Sequence, residues 1–521
     1  MHEIVTLQFG SQSNYLGTHF WNTQESYFTY PPEPESAVNH DIHFRPGVAP
    51  DGSDTFTPRA LIYDLKGAFG SMRKINALYE AEDDRSILDQ PGVWPSKPIV
   101  QRAQPIPQST YQQHLDAGLE APQLNTSTIK YWSDYSRVFY HPKSIVQLSE
   151  FDVNDKLMPF ESWDVGMELF EKLEREVDLV DRDLRPFVEE CDGLQGLQIM
   201  TGVDDAWGGW ASGWIERLRD EYGKLSIWTW GLGDQGANTA VPREKRLQQI
   251  VNSSRSLQPL AEQSSVYIPV SNRPARVPNY LSFDASSAWH VSALQAVGLE
   301  SMTISSRLRT SDGRHGTLQD IEDTINSTGK RRIAKFEMSI ADPDVLSEKM
   351  KEVIGRHEKA GSTISRRTSE SEPQLSSFDI DAFSKDYKLA MSKASKREHI
   401  FARAEACRGS WNLSEDAGRN PRDRFGHGPG VQRYNAPLLF PVLDSFPSIF
   451  DAGSGHTKKL AVHAGLTTST AVAEQVRAIE QIVKRLISVD EREALCNSLQ
   501  VIAEEYDEGW DGDLTDSDDD D

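Results

Sequence analysis

The sequence predicts an α/β fold: a doubly wound parallel sheet flanked by helices, joined to a second α+β domain and closed by C-terminal helices. Three observations carry this. Across the first three hundred residues short apolar runs alternate with amphipathic stretches, the order that builds a parallel sheet covered on both faces. Within that region Gly193–Tyr222, GLQGLQIMTGVDDAWGGWASGWIERLRDEY, runs strand, glycine-containing turn, amphipathic helix. This is how α/β folds aim backbone N–H groups at a phosphate. From about residue 300 the texture changes to alternating and mixed segments, and the last part returns to helical periodicity.

The elements follow in order. Ile4–Phe9 is a short apolar strand bounded by Gly10, and Ser11–Phe28 reads as a helix with Tyr15, Leu16, Phe20 and Trp21 on one side. Tyr30–Pro58, rich in Pro, Gly, Asp and Glu, reads as an exposed insert. Ala60–Asp64 is the next strand, with Gly67 and Gly70 opening the turn behind it. Residues 83–160 form a second insert, Pro- and Gln-rich up to Lys130. Met167, Phe170, Leu173, Val177 and Val180 recur at helical steps within Trp163–Cys191. Strand Leu197–Met200, helix Gly208–Tyr222, strand Lys224–Trp230, helix Val241–Gln263, strand Ser265–Val270 and helix Ala285–Val297 complete a first domain over residues 1–305. In the second domain, 306–470, Arg331–Ile340 alternates as a strand. Asp342-Pro343 starts a helix to about Lys359 with Asp as N-cap and Pro at the first position. Gly361–Ser377 is a flexible Ser/Glu-rich segment, Phe378–Cys407 reads as helical, and Leu438–Phe450 and Lys459–Thr467 read as strands. Ala471–Ile487 is a helix, and Ser488-Val489-Asp490-Glu491 is a capping box opening another within 471–506. Residues 507–521 form a disordered acidic tail.

Composition narrows the function. The 521 residues carry a net charge of −24, but Glu504–Asp521 alone holds eleven acids and no base, leaving −13 for the rest. Acidity is thus concentrated in a solvated tail, and the whole-chain field disfavours direct nucleic-acid binding. Cys191, Cys407 and Cys496 are far apart and follow no ligand spacing, which fits a reducing compartment without structural zinc. No run approaches the ~18 apolar residues that suggest a membrane span, so any organelle association is expected to be peripheral. The N-terminus begins at once with a strand and has no arginine until Arg45, unlike a cleavable mitochondrial presequence.

Two turns carry the candidate site. At Gly10-Ser11-Gln12-Ser13, helix N–H groups and small polar side chains would face an anion; the plainer reading is that Ser11 or Ser13 caps the helix. In the later turn Asp204, Asp205, Ala206 and Trp207 stand ahead of Gly208, Gly209 and Gly213, where a phosphate cradle would place bare glycines. A carboxylate ~5 Å from a phosphate charge repels by roughly 3 kcal/mol at an effective dielectric near 20. Asp204 and Asp205 therefore have three readings: helix caps, holders of a divalent cation, or residues that close the pocket. Trp207, Trp210 and Trp214 recur at helical spacing and read as packing, the first of them also filling volume a ligand would need. His40-Asp41-Ile42-His43 lacks further metal ligands around it, and Gly453-Ser454-Gly455-His456 is not a nucleophile elbow. No Walker A pattern occurs.

These blocks resemble the tubulin/FtsZ superfamily. There the run corresponding to Gly193–Tyr222 ends in GGGTGSG, and the helix after it closes on an Arg-Glu-Glu-Tyr-like tetrad. Here Arg219-Asp220-Glu221-Tyr222 fills that place and the loop is one residue shorter. HEIVTLQFGSQSNYLGTHFW (His2–Trp21) is similar to tubulin's first strand, phosphate loop and first helix, and TPRALIYDLKGAFGSMRK (Thr57–Lys74) to its second strand and loop. The wording Tyr63-Asp64-Leu65-Lys66-Gly67, the DDAW turn and the long insert resemble the Misato family in its fungal form, tubulin-like proteins associated with mitochondrial distribution and inheritance. The resemblance spans about residues 2–30, 56–80 and 161–235, and fades beyond.

The resemblance implies a tubulin/FtsZ-like fold with a vestigial nucleotide pocket made of Gly10, Ser11, Gln12, Ser13, Asp64, Lys66, Asp204, Asp205, Gly208, Gly209 and Gly213. In tubulins an acidic residue two places after the aspartate helps organise magnesium; Lys66 stands at that place. The expectation is a chain with no catalytic residues, metal or cofactor, acting through cytoskeletal or mitochondrial outer-membrane proteins, located at the mitochondrion and in the cytoplasm. It implies a role in partitioning and morphology of mitochondria and in inheritance of mitochondrial DNA, without direct DNA contact. The alternatives are an active GTPase that uses GTP and Mg with a rearranged loop, and a filament-forming subunit.

Overall fold

A computed structural model describes residues 2–29, 35–48, 52–72, 106–234, 240–309, 316–347, 378–383, 398–409, 411, 430–450, 459–487 and 489–507. Strand β1 (Glu3–Phe9) is buried along its whole length and leads through Gly10 into α1 (Ser11–Glu25). A hairpin of β2 (Phe44–Val48) and β3 (Asp54–Pro58) precedes β4 (Ala60–Lys66). Helix α2 (Thr110–Asp116) and β5 (Ile145–Asp152) follow, then α3 (Trp163–Val177), the short α4 (Arg185–Val188), β6 (Leu194–Gly202) and α5 (Ala206–Glu221). Strand β7 (Ser226–Gly233), α6 (Arg243–Gln263), β8 (Val266–Ser271) and α7 (Ala288–Thr303) complete this part.

The first sheet has the order β5-β4-β1-β6-β7-β8, all parallel. Alternation along each strand sends side chains to two separate cores, as a doubly wound sheet requires. Ile4, Ile62, Met200, Trp228 and Ile268 pack with α1 and α7; Val5, Leu7, Tyr63, Ile199 and Ile227 pack with α3, α5 and α6.

Beyond α7 come α8 (Leu318–Ile325), β9 (Lys335–Ala341), β10 (Ile380–Asp381), β11 (Ile400–Arg408), β12 (Gly430–Ala436), β13 (Phe440–Pro441) and β14 (Lys459–Ser469). They form a mixed sheet, β10-β9-β14-β11-β12, with β13 beside β14. Two further helices, Thr470–Leu486 and Val489–Glu505, run back to the core on the α6 side of the first sheet. Among the described residues no helix is long and apolar enough to cross a membrane. Helix α7 lies between the two sheets with almost every side chain buried. Its Glu300 accepts from Arg307 at 2.8 Å and from Arg408 at 3.1 Å, all three side chains fully buried, which ties α7 to β11.

The α/β class and the doubly wound parallel sheet hold, and several local expectations are corrected. The insert over Tyr30–Pro58 is not merely exposed: Val38, Ile42 and Phe44 are buried and β2 pairs with β3. The insert over 83–160 contributes β5, an edge strand whose exposed Gln147, Ser149 and Glu150 hide its period of two. The helix expected across Trp163–Cys191 breaks at Asp178, which has a left-handed φ of 48°. Where Phe378–Cys407 is described, at 378–383 and 398–407, it holds strands in place of the expected helix: Ala402, Ala404 and Ala406 share one face of β11 and Arg403 and Glu405 the other, all buried, so residues with high helix propensity serve as small strand residues. Leu438–Phe450 is strand only at Phe440–Pro441, and β12 lies where no strand was expected. Gly361–Ser377, Ser488 of the capping box, Gly453–His456 and nearly all of the acidic tail lie outside the described residues.

Candidate functional site

The C-terminal ends of β1, β4 and β6 meet the N-termini of α1 and α5 around a cleft of ≈ 230 Å³. A loop following β5 overhangs it. Open α/β sheets bind ligands at this end.

Gly10 enters α1 with φ 87°, and the indole of Trp207 lies 2.4 Å from where a Cβ on Gly10 would sit. Only glycine tolerates both the left-handed backbone and the ring. Ser11 does not cap its helix: its Oγ donates to both carboxylate oxygens of Asp64, at 3.1 and 3.0 Å. Asn14 Nδ2 and Trp132 Nε1 donate to the same carboxylate at 2.8 and 3.1 Å, and the Leu65 N–H at 2.9 Å. Burial pushes Asp64 up to about 6 despite these donors. Gln12 pairs its amide with the side-chain carbonyl of Asn272, which also accepts from Gln295 at 3.0 Å. The Ser13 hydroxyl is buried with no hydrogen-bond partner among the described residues.

The second turn also turns inward. Asp205 is the N-cap of α5, accepting the Trp207 N–H at 2.9 Å. Burial, and next the neighbouring Asp204, push its carboxyl up to about 8. Asp204 accepts the Asp234 N–H at 2.8 Å, and its backbone carbonyl accepts from Asn252 at 3.1 Å. These two acids are thus joined to local backbone.

The glycines expected around a phosphate serve packing instead. A Cβ on Gly209 would lie 1.9 Å from the Trp163 carbonyl oxygen, and one on Gly213 2.2 Å from the Phe170 ring, both on α3. One on Gly208 would lie 2.2 Å from Ser256 Oγ on α6. In return, a Cβ on Gly166 of α3 would lie 1.7 Å from the Ala206 carbonyl oxygen. These small residues let three helices approach closely, and none of Gly208, Gly209 and Gly213 lines the cleft. Lys66 is exposed and does not line it either; its carbonyl accepts the Val153 N–H at 3.0 Å.

Gly10, Ser11, Gln12, Asp64 and Asp205 therefore come together at the cleft, while Ser13, Lys66, Asp204 and the three glycines stand off it. Sequence reasoning missed Asp152, Asp155, Phe160 and Glu161, which line the cleft from the loop after β5, and Trp132, which holds Asp64. Assigning 83–160 to an insert concealed all of these but Glu161, which, like Asn14, stood unremarked in a stretch similar to tubulin. Trp210 and Trp214 are fully buried with Phe9, Tyr63 and Phe170, as the packing reading expects. His40 stacks on Phe28 at 3.8 Å between ring centroids and His43 sits edge-on to Phe20 and Trp21. Among the described residues no three His, Cys, Asp or Glu side chains are grouped to hold a metal ion.

Comparison with known proteins agrees with this layout. A family model described as a tubulin domain matches residues 121–308, and one described as a Misato Segment II tubulin-like domain matches residues 2–117. The chain is 77% identical to Protein DML1 of Phaeosphaeria nodorum over 522 residues, all of both chains. It is 43% identical to Protein dml1 of Aspergillus niger and 42% to Protein dml-1 of Neurospora crassa, again over the whole of each. With the parallel sheet, the altered turn and these full-length relatives together, the chain belongs to the Misato family of tubulin-like proteins.

Proposed function

We propose that this protein is a non-hydrolysing member of its family that acts through protein partners in partitioning and morphology of mitochondria and in inheritance of mitochondrial DNA. The observation that carries the non-catalytic part is the Trp207 indole lying on Gly10, where backbone N–H groups would meet a phosphate. The residues present do not fit a nucleoside triphosphate. Among the described residues no lysine, arginine or histidine lines the cleft, five acidic side chains do, and the polar side chains of the first turn are spent on Asp64 and Asn272. Like charges at this range oppose phosphate binding by kilocalories. The mitochondrial part is supported by membership of the family, whose tubulin-like proteins are associated with distribution of the organelle. Peripheral association at the outer membrane and in the cytoplasm, with cytoskeletal or outer-membrane proteins, completes the reading; DNA is affected through the organelle that carries it.

The organelle role is tested by deleting the native gene, which should leave mitochondria clumped and unevenly inherited; unchanged distribution would overturn it. Nucleotide released from freshly purified protein by acid, read by absorbance after chromatography, should be far below one equivalent. One equivalent of guanine nucleotide would overturn the reading.

A further inference from the structure

The cleft is chemically suited to something other than a nucleotide. Asp64, Asp152, Asp155, Glu161 and Asp205 line it with no base among the lining residues, and the rings of Phe160 and Trp207 form its apolar wall. Glu161 pairs with Lys245 at 2.8 Å on the exposed side. Carboxylates beside aromatic faces are the combination that receives an organic cation, since guanidinium and ammonium groups bind both. A bare divalent ion would call for oxygen ligands grouped around one point, and no such group occurs among the described residues.

A second feature adjoins it. The loop after β5 exposes Val153, Leu157 and Met158, the last two 92% and 59% exposed. The loop is anchored: Asp155 accepts the Leu157 N–H at 2.8 Å, and Phe160 packs against Trp207 and Phe151 with ring centroids 5.1 and 4.9 Å away. Two large apolar side chains held in water beside an acidic cleft mark an interaction surface.

We infer that the cleft and this loop form a docking site for a basic segment of a protein partner, an arginine or lysine side chain entering the cleft while an adjacent apolar side chain covers Leu157 and Met158. The occupant is chosen by charge complementarity: a net −24 chain repels a second copy and any acidic partner, and the ionisable side chains among the lining residues are all acids. The inference rests on the partner-binding reading above and names the chemistry that partner presents.

The experiment titrates full-length protein into a fluorescein-labelled peptide of alternating arginine and leucine, followed by anisotropy. Controls replace every arginine by glutamate or every leucine by serine. The parent peptide should bind at least tenfold more tightly than either control and lose affinity steeply as salt rises. Asp152→Asn/Asp155→Asn, which keeps the oxygen acceptors for the backbone, should weaken it at least tenfold with unchanged thermal melting, as should Leu157→Ser/Met158→Ser. Absence of binding by the parent peptide overturns the inference, and so does binding that both double variants retain, which would be adsorption to the acidic surface. GTP with magnesium is titrated into the same protein: saturable GTP binding that displaces the peptide would sink the non-hydrolysing reading itself, while silence towards both ligands sinks the docking site alone.

Discussion

Replacing Gly209 by alanine separates a glycine that packs from a glycine that contacts phosphate. Taken alone, alanine in a helix is favoured over glycine by about 1 kcal/mol. In this helix the new methyl carbon would lie 1.9 Å from the Trp163 carbonyl oxygen and 2.8 Å from the Met167 nitrogen, both backbone atoms that no rotamer change can move. Carbon–oxygen contacts settle near 3.3–3.6 Å, so α3 and α5 must part by roughly 1.5 Å. Parting them disturbs Phe170, seated 5.7 Å from Trp210 and 6.0 Å from Trp214, and the Arg217–Glu174 ion pair at 3.0 Å. Overpacking of this kind costs about 1–3 kcal/mol and sometimes more; against immovable backbone the upper end applies, leaving a net loss of roughly 2 kcal/mol after the helix gain. For a domain of a few hundred residues that lowers Tm by roughly 4–8 °C. Differential scanning fluorimetry reads it, with Gly223→Ala as control, because a Cβ there meets nothing nearer than the Arg219 carbonyl at 3.7 Å. An unchanged or raised Tm for Gly209→Ala would refute the packing argument.

Three further outcomes follow from the same contacts. Glu300→Gln leaves Arg307 and Arg408 fully buried without their counter-charge, and should lower stability by about 3–5 kcal/mol, read as an earlier urea midpoint. Trp207→Ala removes the ring over Gly10 and should cost about 3–5 kcal/mol in the same assay, since the backbone around it cannot collapse. Asp205 is raised from 3.8 to about 8 in the folded chain, so the native state binds a proton that the unfolded state lacks between those values. Its contribution is therefore complete below pH 4 and lost as pH rises through 8. Asp205→Asn keeps the cap to Trp207 and should melt above the parent at pH 8.5, with the gap closing towards pH 5.

How much was legible depends on whether local pattern and tertiary role coincide. Gly193–Tyr222 was read correctly as strand, turn and helix because its hydrophobic periodicity and its Asp cap agree with the fold. The glycines inside it were misread for a physical reason: Gly208 and Gly209 look like a phosphate turn, but Asp205 starts the helix early enough to place them within it, against α3 and α6. Whether a glycine opens a turn or admits a neighbouring helix depends on what lies across from it, which a single sequence does not carry. The alanine-rich strand β11 misled in the same way, its helix propensity overruled by pairing with β14 on one side and β12 on the other. Asp64 was visible as a candidate, yet its four donors come from α1, from the next residue and from Trp132, far apart in the chain. The cleft loop Asp152–Glu161 went unseen because Pro- and Gln-rich sequence ahead of it masked the strand that carries it.

Calorimetric titration of GTP with magnesium into the intact protein measures the central claim most directly. A cleft with its own tryptophan laid over Gly10 and its own acids along the wall should give only heats of dilution across the micromolar range. A saturable one-to-one isotherm, followed by release of phosphate, would contradict it.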